Sequence, residues 1–326
     1  MSGLKKIFYR AAARYGLGKP EMAELMETRY GDAAGFFKTG INRLMFFARS
    51  SRIFDVTSVT LELSAYCNLE CSICPVNRTM RRKKGFMSAD LAKKILADNR
   101  GLSFALLYHW GESLLHPGLF SIIAFAKTRG IKVFLTTNGV LLSPENVRLL
   151  LNSGLERITI SMDGTAEAYE KIRHYPYKKL EENILYLLSE RDRYKSPLKV
   201  DLDMTVTEEN EGSVNDFRNR WAGAVDMLRI HPLLYIGKET VAPARNHCNE
   251  AWRGNLIVLW DGRVVPCCAD YEGGLVLGDA NLNTLREIIN GPQAIGLRKA
   301  LLNGNFPSLC RNCGEFVTKT VNPRFS

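Results

Sequence analysis

Eight cysteines occur in this chain, and their clustered spacing is that of metal ligands. The first three, Cys67, Cys71 and Cys74, have the spacing C-x3-C-x2-C and directly follow an apolar, strand-like run. Three thiolates on one short loop can bind three irons of a [4Fe–4S] cluster and leave the fourth iron open. Structural zinc, the alternative, would need a fourth ligand, and the nearest candidates, His109 and His116, lie far along the chain.

A second set of cysteines lies in the C-terminal part of the chain. Cys248 and Cys267 are separated by thirteen residues, a glycine and four more residues, and Cys310 and Cys313 follow as C-x2-C. Residues 255–260 and 263–266 are predicted to form a hairpin around an Asp-Gly turn, which would bring Cys267 back beside Cys248. Residues 284–290 and 293–302 are predicted helices that return the chain to the last two cysteines. Four thiolates can close either a [4Fe–4S] cluster or a zinc site, and Cys268 is left as a spare thiol.

The bulk composition is that of an ordinary globular protein, with 46% hydrophobic and 24% charged residues in 326. It contains neither a membrane-spanning apolar run nor a secretory signal pattern. We therefore expect a cytoplasmic protein whose thiols bind metal in a reducing compartment.

The net charge of +10 is concentrated in two basic clusters. One comprises Lys5, Lys6, Arg10 and Arg14, and the other comprises Arg78, Arg81, Arg82, Lys83 and Lys84. These clusters indicate either a solvated surface or a docking face for an acidic electron donor, an anionic substrate or a membrane. The pattern of a nucleic-acid-binding module is absent, so we expect no nucleic-acid partner.

Apolar strands alternate with longer helical stretches from residue 57 onwards. The predicted strands are 59–64, 104–108, 132–136, 157–161, 199–206 and 226–231, and the predicted helices between them are 89–99, 119–128, 144–152, 180–193 and 214–221. This alternation predicts an α/β fold with a parallel sheet and right-handed crossovers. The N-terminal residues before it are predicted to be helical and to pack on the main domain, with weak membrane-surface contact through residues 1–50 as the alternative.

The cysteine loop and the motifs after the next strands resemble the radical S-adenosylmethionine (radical SAM) superfamily. Its fold is a partial (β/α)6 TIM-like barrel, with the chemistry at the carboxyl ends of the strands. The resemblance implies that an open iron at Cys67, Cys71 and Cys74 binds S-adenosylmethionine. It also implies that this cluster cleaves the cofactor to a 5′-deoxyadenosyl radical, after reduction by a flavodoxin or ferredoxin-type electron donor.

The same resemblance implies which side chains contact S-adenosylmethionine. Ile73 occupies the adenine-contact position, and Trp110, Gly111 and Glu112 match the G-G-E motif with tryptophan in place of the first glycine. Glu112 would neutralise the methionine ammonium. At the ends of the third and fourth strands, the T-N-G and S-x-D-G sequences supply the remaining predicted contacts, namely Thr137, Asn138, Ser161 and Asp163. Arg173 and the end of the fifth strand are further polar candidates.

The C-terminal cysteines resemble the SPASM auxiliary-cluster domain and its shortened twitch form. The resemblance implies that Cys248, Cys267, Cys310 and Cys313 bind an auxiliary [4Fe–4S] cluster, and residues 314–326 contain no cysteine for a second one. Three units are therefore predicted: a helical extension over 1–55, a radical SAM barrel over 56–235 and an auxiliary domain over 236–326.

The predicted function is that of a radical SAM oxidoreductase that removes a hydrogen atom from a small alcohol or sugar. A fully ligated auxiliary cluster would accept the substrate electron, as in twitch-containing dehydrogenases of the superfamily. The alternatives are a ribosomal-peptide maturase, a sugar epimerase that uses Cys268 as hydrogen donor, and a non-catalytic iron–sulfur or zinc scaffold.

Overall fold

A computed structural model of the chain describes residues 33–99, 101–233, 248–311 and 313. Within these residues the strands form one open sheet in the order β6-β5-β4-β3-β2-β1-β7-β8-β9. The strands are β1 (Ser58–Leu61), β2 (Phe104–Leu107), β3 (Lys132–Thr137), β4 (Arg157–Ser161), β5 (Lys199–Val206), β6 (Met227–Pro232), β7 (Asn255–Val258), β8 (Arg263–Val265) and β9 (Gly278–Asp279).

Helices connect the strands and cover one face of the sheet. They are α1 (Ala33–Phe47), α2 (Ala89–Asp98), α3 (Leu119–Thr128), α4 (Pro144–Asn152), α5 (Ala166–Arg173), α6 (Tyr177–Arg193), α7 (Val214–Trp221), α8 (Leu285–Ile289), α9 (Pro292–Leu302) and α10 (Ser308–Arg311). Local sequence explains where several of them begin. Ser88 and Ser143 each accept a hydrogen bond from a backbone N–H of the first turn that they precede, and Pro144 suits the first helical position.

Strands β1 to β6 pair in parallel, as the alternation of strands and helices predicts. The predicted partial barrel is confirmed in this open, parallel sheet. Strand β7 pairs in parallel with the opposite edge of β1, and β8 and β9 follow antiparallel. The predicted auxiliary hairpin is therefore a continuation of the barrel sheet, so both cysteine sets are positioned by one framework.

The two faces of the sheet differ in polarity. Ile158 and Ile160 on β4 are fully buried in the hydrophobic core beneath the helices. The alternate residue Arg157 is also buried, and it pairs with Asp201 on β5. Arg229 on β6 donates to the other oxygen of the same carboxylate at 2.6 Å. The inner face of the sheet thus contains buried ion pairs, which need each other's charges because they are removed from water.

The structure differs from the sequence-based predictions in a few elements. Strand β1 ends at Leu61 rather than at residue 64, and α6 begins at Tyr177 rather than at residue 180. Helix α5 was not predicted. Because only Tyr169 and Ile172 of its eight residues are buried, it carries too short an apolar pattern to be recognised.

Helix α1 packs on the main body, as predicted for this part of the N-terminal segment. The buried Asn42 side chain bonds to backbone groups of Phe54 and Asp55, and the Phe46 ring meets Trp252 edge-on at 5.2 Å. The same helix exposes large apolar side chains at Phe37, Leu44 and Phe47. None of the described helices is long and apolar enough to cross a membrane. The predicted domain boundaries stay predictions, and residues 1–32 and 234–247 lie outside the described residues.

One member of the second basic cluster is not on the surface. The Arg82 side chain is only 4% exposed and forms an ion pair with Glu62, which follows β1 and is fully buried. Burial raises the pKa of Glu62 to about 7, although Arg82 and the Trp260 backbone N–H act to lower it. The assignment of Arg82 to a solvated or docking surface is therefore wrong, because a tertiary ion pair draws it inside.

Breaking one of the inner ion pairs should be strongly destabilising. Replacing Asp201 by Asn removes the buried carboxylate that pairs with Arg157 and Arg229, so we expect the free energy of unfolding to fall by about 3–5 kcal/mol. The exposed pair of Asp192 with Arg191 is the control, and Asp192→Asn should cost less than about 1 kcal/mol. Urea unfolding of both variants measures the difference, and equal costs would contradict the prediction.

Candidate active site

The first cysteine loop lies immediately beyond β1, at the carboxyl end of the parallel strands. Cys71 is buried, and Cys67 and Cys74 are half-buried. The side chain of Asn77 closes the loop by donating to the carbonyl oxygens of Cys67 (3.3 Å) and Leu69 (2.7 Å). The three thiols consequently sit together on a compact loop held by side-chain and backbone hydrogen bonds.

The environment of these thiols suits a positively charged metal cluster. Burial raises the pKa of all three, and in Cys74, where the neighbouring thiols add to the effect of burial, the pKa is raised to about 11. Thiolates in such a place need positive charge to be stable, which metal ions supply. Two polar side chains already approach the sulfurs: Arg173 Nη1 lies 3.8 Å from Cys71 Sγ, and Asn138 Nδ2 lies 3.7 Å from Cys67 Sγ. The donor set fits a [4Fe–4S] cluster.

The Trp110-Gly111-Glu112 turn follows β2 and is pressed against the start of the cysteine loop. Gly111 has φ +134°, and a Cβ atom added there would lie 2.0 Å from the carbonyl oxygen of Ser64. The backbone N–H of Glu112 donates to the carbonyl oxygen of Tyr66 at 2.8 Å. Glycine is needed at position 111 because two backbone segments meet there without room for a side chain.

The Glu112 carboxylate is buried and accepts hydrogen bonds on both oxygens. Thr137 Oγ1 (2.8 Å) and the Leu114 N–H (2.9 Å) donate to Oε1, and the Asn138 N–H (2.8 Å) donates to Oε2. Burial raises the pKa of Glu112, whereas these hydrogen bonds act to lower it. Glu112 therefore fastens the end of β3 to the cysteine loop, and its contact with a methionine ammonium stays a prediction.

The residues after β4 form a second buried connection to the cluster loop. Asp163 is fully buried, and its carboxylate accepts from Arg173 Nε (2.7 Å) and from the Thr205 N–H (2.9 Å). Asp163 thereby aims Arg173 at Cys71. Burial would lower the pKa of Arg173, but Asp163 and Cys71 outweigh it and raise that pKa, so the guanidinium is positively charged.

The structure brings the predicted cofactor residues to one edge of the sheet. Thr137 and Asn138 are buried beside the cysteine loop, and Ser161 and Ile73 are half-buried there. Arg173 belongs more closely to this site than the sequence reasoning indicated, since it touches the cluster loop. No sequence motif marks Arg173, which lies ten residues after Asp163 on the helix α5 that the sequence did not predict.

Three C-terminal cysteines lie near Cys267, which directly follows the β7–β8 hairpin. Burial raises the pKa of Cys267, and the nearby thiols of Cys268, Cys248 and Cys310 raise it further. Cys310 lies in α10, and Cys313 follows this helix along the chain. Sulfurs brought within electrostatic reach of one another in a buried place fit an all-cysteine cluster site.

In the described ranges, no three His, Cys, Asp or Glu side chains converge on one metal-ion position. A [4Fe–4S] cluster does not require such convergence, because each thiolate binds a different iron atom.

His109 and His116, the alternative zinc ligands, take other roles. His116 Nε2 contacts the Met87 carbonyl oxygen at 2.6 Å, and burial together with Arg82 lowers the pKa of His109 to about 3.

A polar wall continues from the predicted cofactor residues across β5 and β6. Asp203 lies opposite Ser161 in the strand register, and His231 Nε2 is 2.6 Å from Asp203 Oδ1. Burial acts to lower the pKa of His231, but Asp203, the Pro232 carbonyl and Asp163 raise it above its usual value. The raised pKa favours the imidazolium form of His231, in which Nε2 donates to Asp203. No sequence motif marks this pair, because its members are distant along the chain.

Comparisons with known proteins agree with this geometry. A family model of the Radical SAM superfamily matches residues 61–219, and a model of the SPASM iron–sulfur cluster-binding domain matches residues 248–314. The AdoMet-dependent heme synthase of Methanosarcina barkeri is 34% identical over 120 residues, which are 36% of this chain and 34% of that protein. The tungsten-containing aldehyde ferredoxin oxidoreductase cofactor-modifying protein of Pyrococcus furiosus is 23% identical over 248 residues, covering 64% and 69% of the two chains. The match therefore spans only about a third of the first relative's length.

Solved structures share the fold at low sequence identity. BtrN in complex with AdoMet and 2-DOIA has a TM-score of 0.56 at 19% identity, covering 82% of this chain and 98% of BtrN. SuiB of Streptococcus suis bound to precursor peptide SuiA has a TM-score of 0.61 at 13% identity, covering 84% and 72%. These likenesses show a common architecture and leave the substrate open.

The close approach at Gly111 should make this position intolerant of any side chain. We expect Gly111→Ala to lower the free energy of unfolding by about 2–4 kcal/mol, because left-handed strain adds to a clash with immovable backbone. Gly130→Ala is the matched control, since Gly130 also has positive φ but open space around it, and about 1 kcal/mol is expected. Chemical unfolding measures both, and equal losses would show that the contact with Ser64 is unimportant.

Proposed function

The chain belongs to the radical SAM superfamily and carries a C-terminal SPASM iron–sulfur domain, and from this premise we propose that it oxidises a small alcohol or sugar. The first domain implies a [4Fe–4S] cluster and S-adenosylmethionine, and the second implies an auxiliary iron–sulfur cluster. When bound, the first two supply the one-electron chemistry that removes a hydrogen atom from a substrate carbon. The remaining tasks fall to the residues of this chain.

Cys67, Cys71 and Cys74 hold the first cluster in this proposal and leave one iron for S-adenosylmethionine. The bound cofactor lies along the strand ends, against Ile73, Trp110, Gly111, Glu112, Thr137, Asn138, Ser161 and Asp163. Because the Asp163 carboxylate is fully engaged within the protein, it acts on the cofactor through Arg173. The charged guanidinium is suited to an anionic group such as the methionine carboxylate.

The observation that carries the proposal is the all-cysteine composition of the second site. Cys248, Cys267, Cys310 and Cys313 together would ligate every iron of an auxiliary cluster, so no iron is left to bind substrate. Such a cluster is suited to accepting an electron. A carbon radical next to a hydroxyl group becomes a carbonyl by losing one electron and one proton, which makes an electron acceptor necessary.

Asp203 is the proposed acceptor of that proton. It lies on the wall next to Ser161, and its Oδ1 is occupied by His231. Among the described residues, Oδ2 accepts no hydrogen bond, so it can accept one from a substrate hydroxyl. His231 keeps Asp203 oriented and, when protonated, compensates its charge.

Epimerisation is a second candidate, favoured by the position of Cys268. This exposed thiol follows Cys267, and its carbonyl oxygen accepts a hydrogen bond from Trp110 in the cofactor turn. A thiol at this place can return a hydrogen atom to a substrate radical. The substrate would then undergo no net redox change and need no electron acceptor, and the thiyl radical left on Cys268 would take one electron from the electron donor and one proton to restore the thiol.

The partners proposed are an acidic electron donor of the flavodoxin or ferredoxin type and a small-molecule substrate. Arg78, Arg81 and Lys83 are exposed next to the first cysteine loop, where a donor would have to dock. A cytoplasmic location fits the clustered thiols. The exposed apolar side chains of α1, with the basic residues near the N-terminus, support weak contact with a membrane surface.

Iron content tests the two cluster assignments. Anaerobically reconstituted protein should hold about eight irons per chain, about four at each site. Replacing Cys67, Cys71 and Cys74 together by Ala should remove about half of the iron and abolish formation of 5′-deoxyadenosine. Full cleavage activity in the triple variant would refute the first assignment, and stoichiometric zinc without iron would support a scaffold.

The auxiliary site is tested by separating cofactor cleavage from product formation. Cys310→Ala should impair substrate oxidation much more than S-adenosylmethionine cleavage, because cleavage depends on the first cluster alone. Both rates are measured on one folded preparation, by quantifying 5′-deoxyadenosine and product. Equal losses would indicate a structural cluster. Unchanged product formation would favour epimerisation, with Cys268→Ala as the next variant.

A further inference from the structure

One turn of the chain contacts the loops of both cysteine sets. Gly111 and Glu112 press against Ser64 and Tyr66, directly before the first cysteine. On the other side of the same turn, Trp110 Nε1 donates to the carbonyl oxygen of Cys268 at 2.9 Å. The two cysteine loops are thus connected through three consecutive residues.

The Trp110 ring makes further contact with the auxiliary loop. It meets Tyr271 edge-on, with ring centroids 5.7 Å apart and planes inclined by 67°. The Tyr271 carbonyl oxygen accepts from Arg82 Nε, and the Glu272 carboxylate accepts from the backbone N–H groups of Arg81 and Arg82 at 2.9 and 3.0 Å. The segment after Cys267 is therefore docked on the barrel by one aromatic contact and several hydrogen bonds.

We propose that Trp110 is a positioning residue that holds the auxiliary-cluster loop on the cofactor-binding turn and thereby sets the reduction potential of the auxiliary cluster. This inference rests on the proposed function, because a potential matters for a cluster that accepts an electron. Trp110 occupies a position where the superfamily motif has glycine. Its side chain therefore adds a contact to the auxiliary-cluster loop, while its backbone remains part of the cofactor-binding turn.

The physical basis is the change of charge when the cluster is reduced. Reduction adds a negative charge beside Cys267, and nearby N–H groups and low exposure to water determine how well that charge is tolerated. The Trp110 N–H withdraws negative charge from the Cys268 carbonyl oxygen. Without this N–H donor, the Cys268 carbonyl oxygen presents its full partial negative charge to the loop, and the reduced state of the auxiliary cluster becomes less favourable.

The experiment isolates the auxiliary cluster in the full-length chain. Cys67, Cys71 and Cys74 are replaced by Ala, the protein is reconstituted, and the remaining cluster is titrated with dithionite under EPR detection. Trp110→Phe keeps an aromatic ring and removes only the donor, so its potential should shift to a more negative value. Trp260→Phe is the matched control: its indole N–H also donates to a backbone carbonyl across the two parts of the chain, that of Lys83 at 3.0 Å. The control should leave the potential unchanged.

Backbone exchange provides a second measurement that does not depend on iron. Hydrogen–deuterium exchange of the peptide covering residues 267–276 should be faster in Trp110→Phe than in the parent, and unchanged in Trp260→Phe. An unaltered potential in an iron-loaded Trp110→Phe variant would overturn the proposal, as would equal shifts in both variants. If Trp110→Phe binds no auxiliary iron, unchanged exchange overturns the proposal and faster exchange supports it. The oxidation function alone would be refuted if Cys310→Ala impaired S-adenosylmethionine cleavage and product formation equally while Trp110→Phe still shifted the reduction potential.

Discussion

The arrangement of the site depends on the hydrogen bonds made by Glu112, whose carboxylate is buried. Its side chain binds the end of β3 through Thr137 and Asn138, and its backbone N–H binds Tyr66 at the start of the cysteine loop. Removing a carboxylate from water is costly unless its oxygens receive hydrogen bonds. Here hydroxyl and backbone donors supply them. The same bonds that make burial tolerable therefore determine where the cysteine loop sits relative to the third strand.

A comparable trade-off governs the inner face of the sheet. Arg157, Asp201 and Arg229 give up hydration to lie inside a barrel whose outer face is apolar. Buried ion pairs of this kind are a poor source of net stability compared with hydrophobic contacts. They place fixed charges along the inner face, with Arg157 and Asp201 near the starts of β4 and β5 and Arg229 in the middle of β6. Asp203 and His231 continue this charged row towards solvent.

Local sequence predicted the parts of the molecule that depend on local rules. The parallel sheet, the cysteine loop and the placement of the T-N-G and S-x-D-G turns follow from periodicity and spacing, and the structure has them in the expected order. The ion pairs between residues of different elements could not be predicted from these local rules. Arg82 with Glu62, Arg173 with Asp163, and His231 with Asp203 are tertiary pairs, and neither member of a pair marks the other in the sequence. Arg82 in particular looks like one more cation in a basic run.

The pairing of β7 with β1 explains how two cysteine sites can cooperate in one chain. Ser58 to Leu61 pair in register with Asn255 to Val258, so the strand before the first cysteine loop is the neighbour of the first hairpin strand, β7. Parallel neighbours present their carboxyl ends at the same edge of a sheet, so the hairpin turn lies beside the start of the first cysteine loop, where the Trp260 N–H donates to Glu62. Strand β8 then runs antiparallel to β7, away from this edge, and the segment after Cys267 returns the chain to the cofactor turn, where the Cys268 carbonyl oxygen accepts from Trp110. A tryptophan after β2 is long enough to reach the Cys268 carbonyl oxygen, a contact that glycine could not make. The sheet therefore provides proximity, and Trp110 converts that proximity into a defined contact between the two sites.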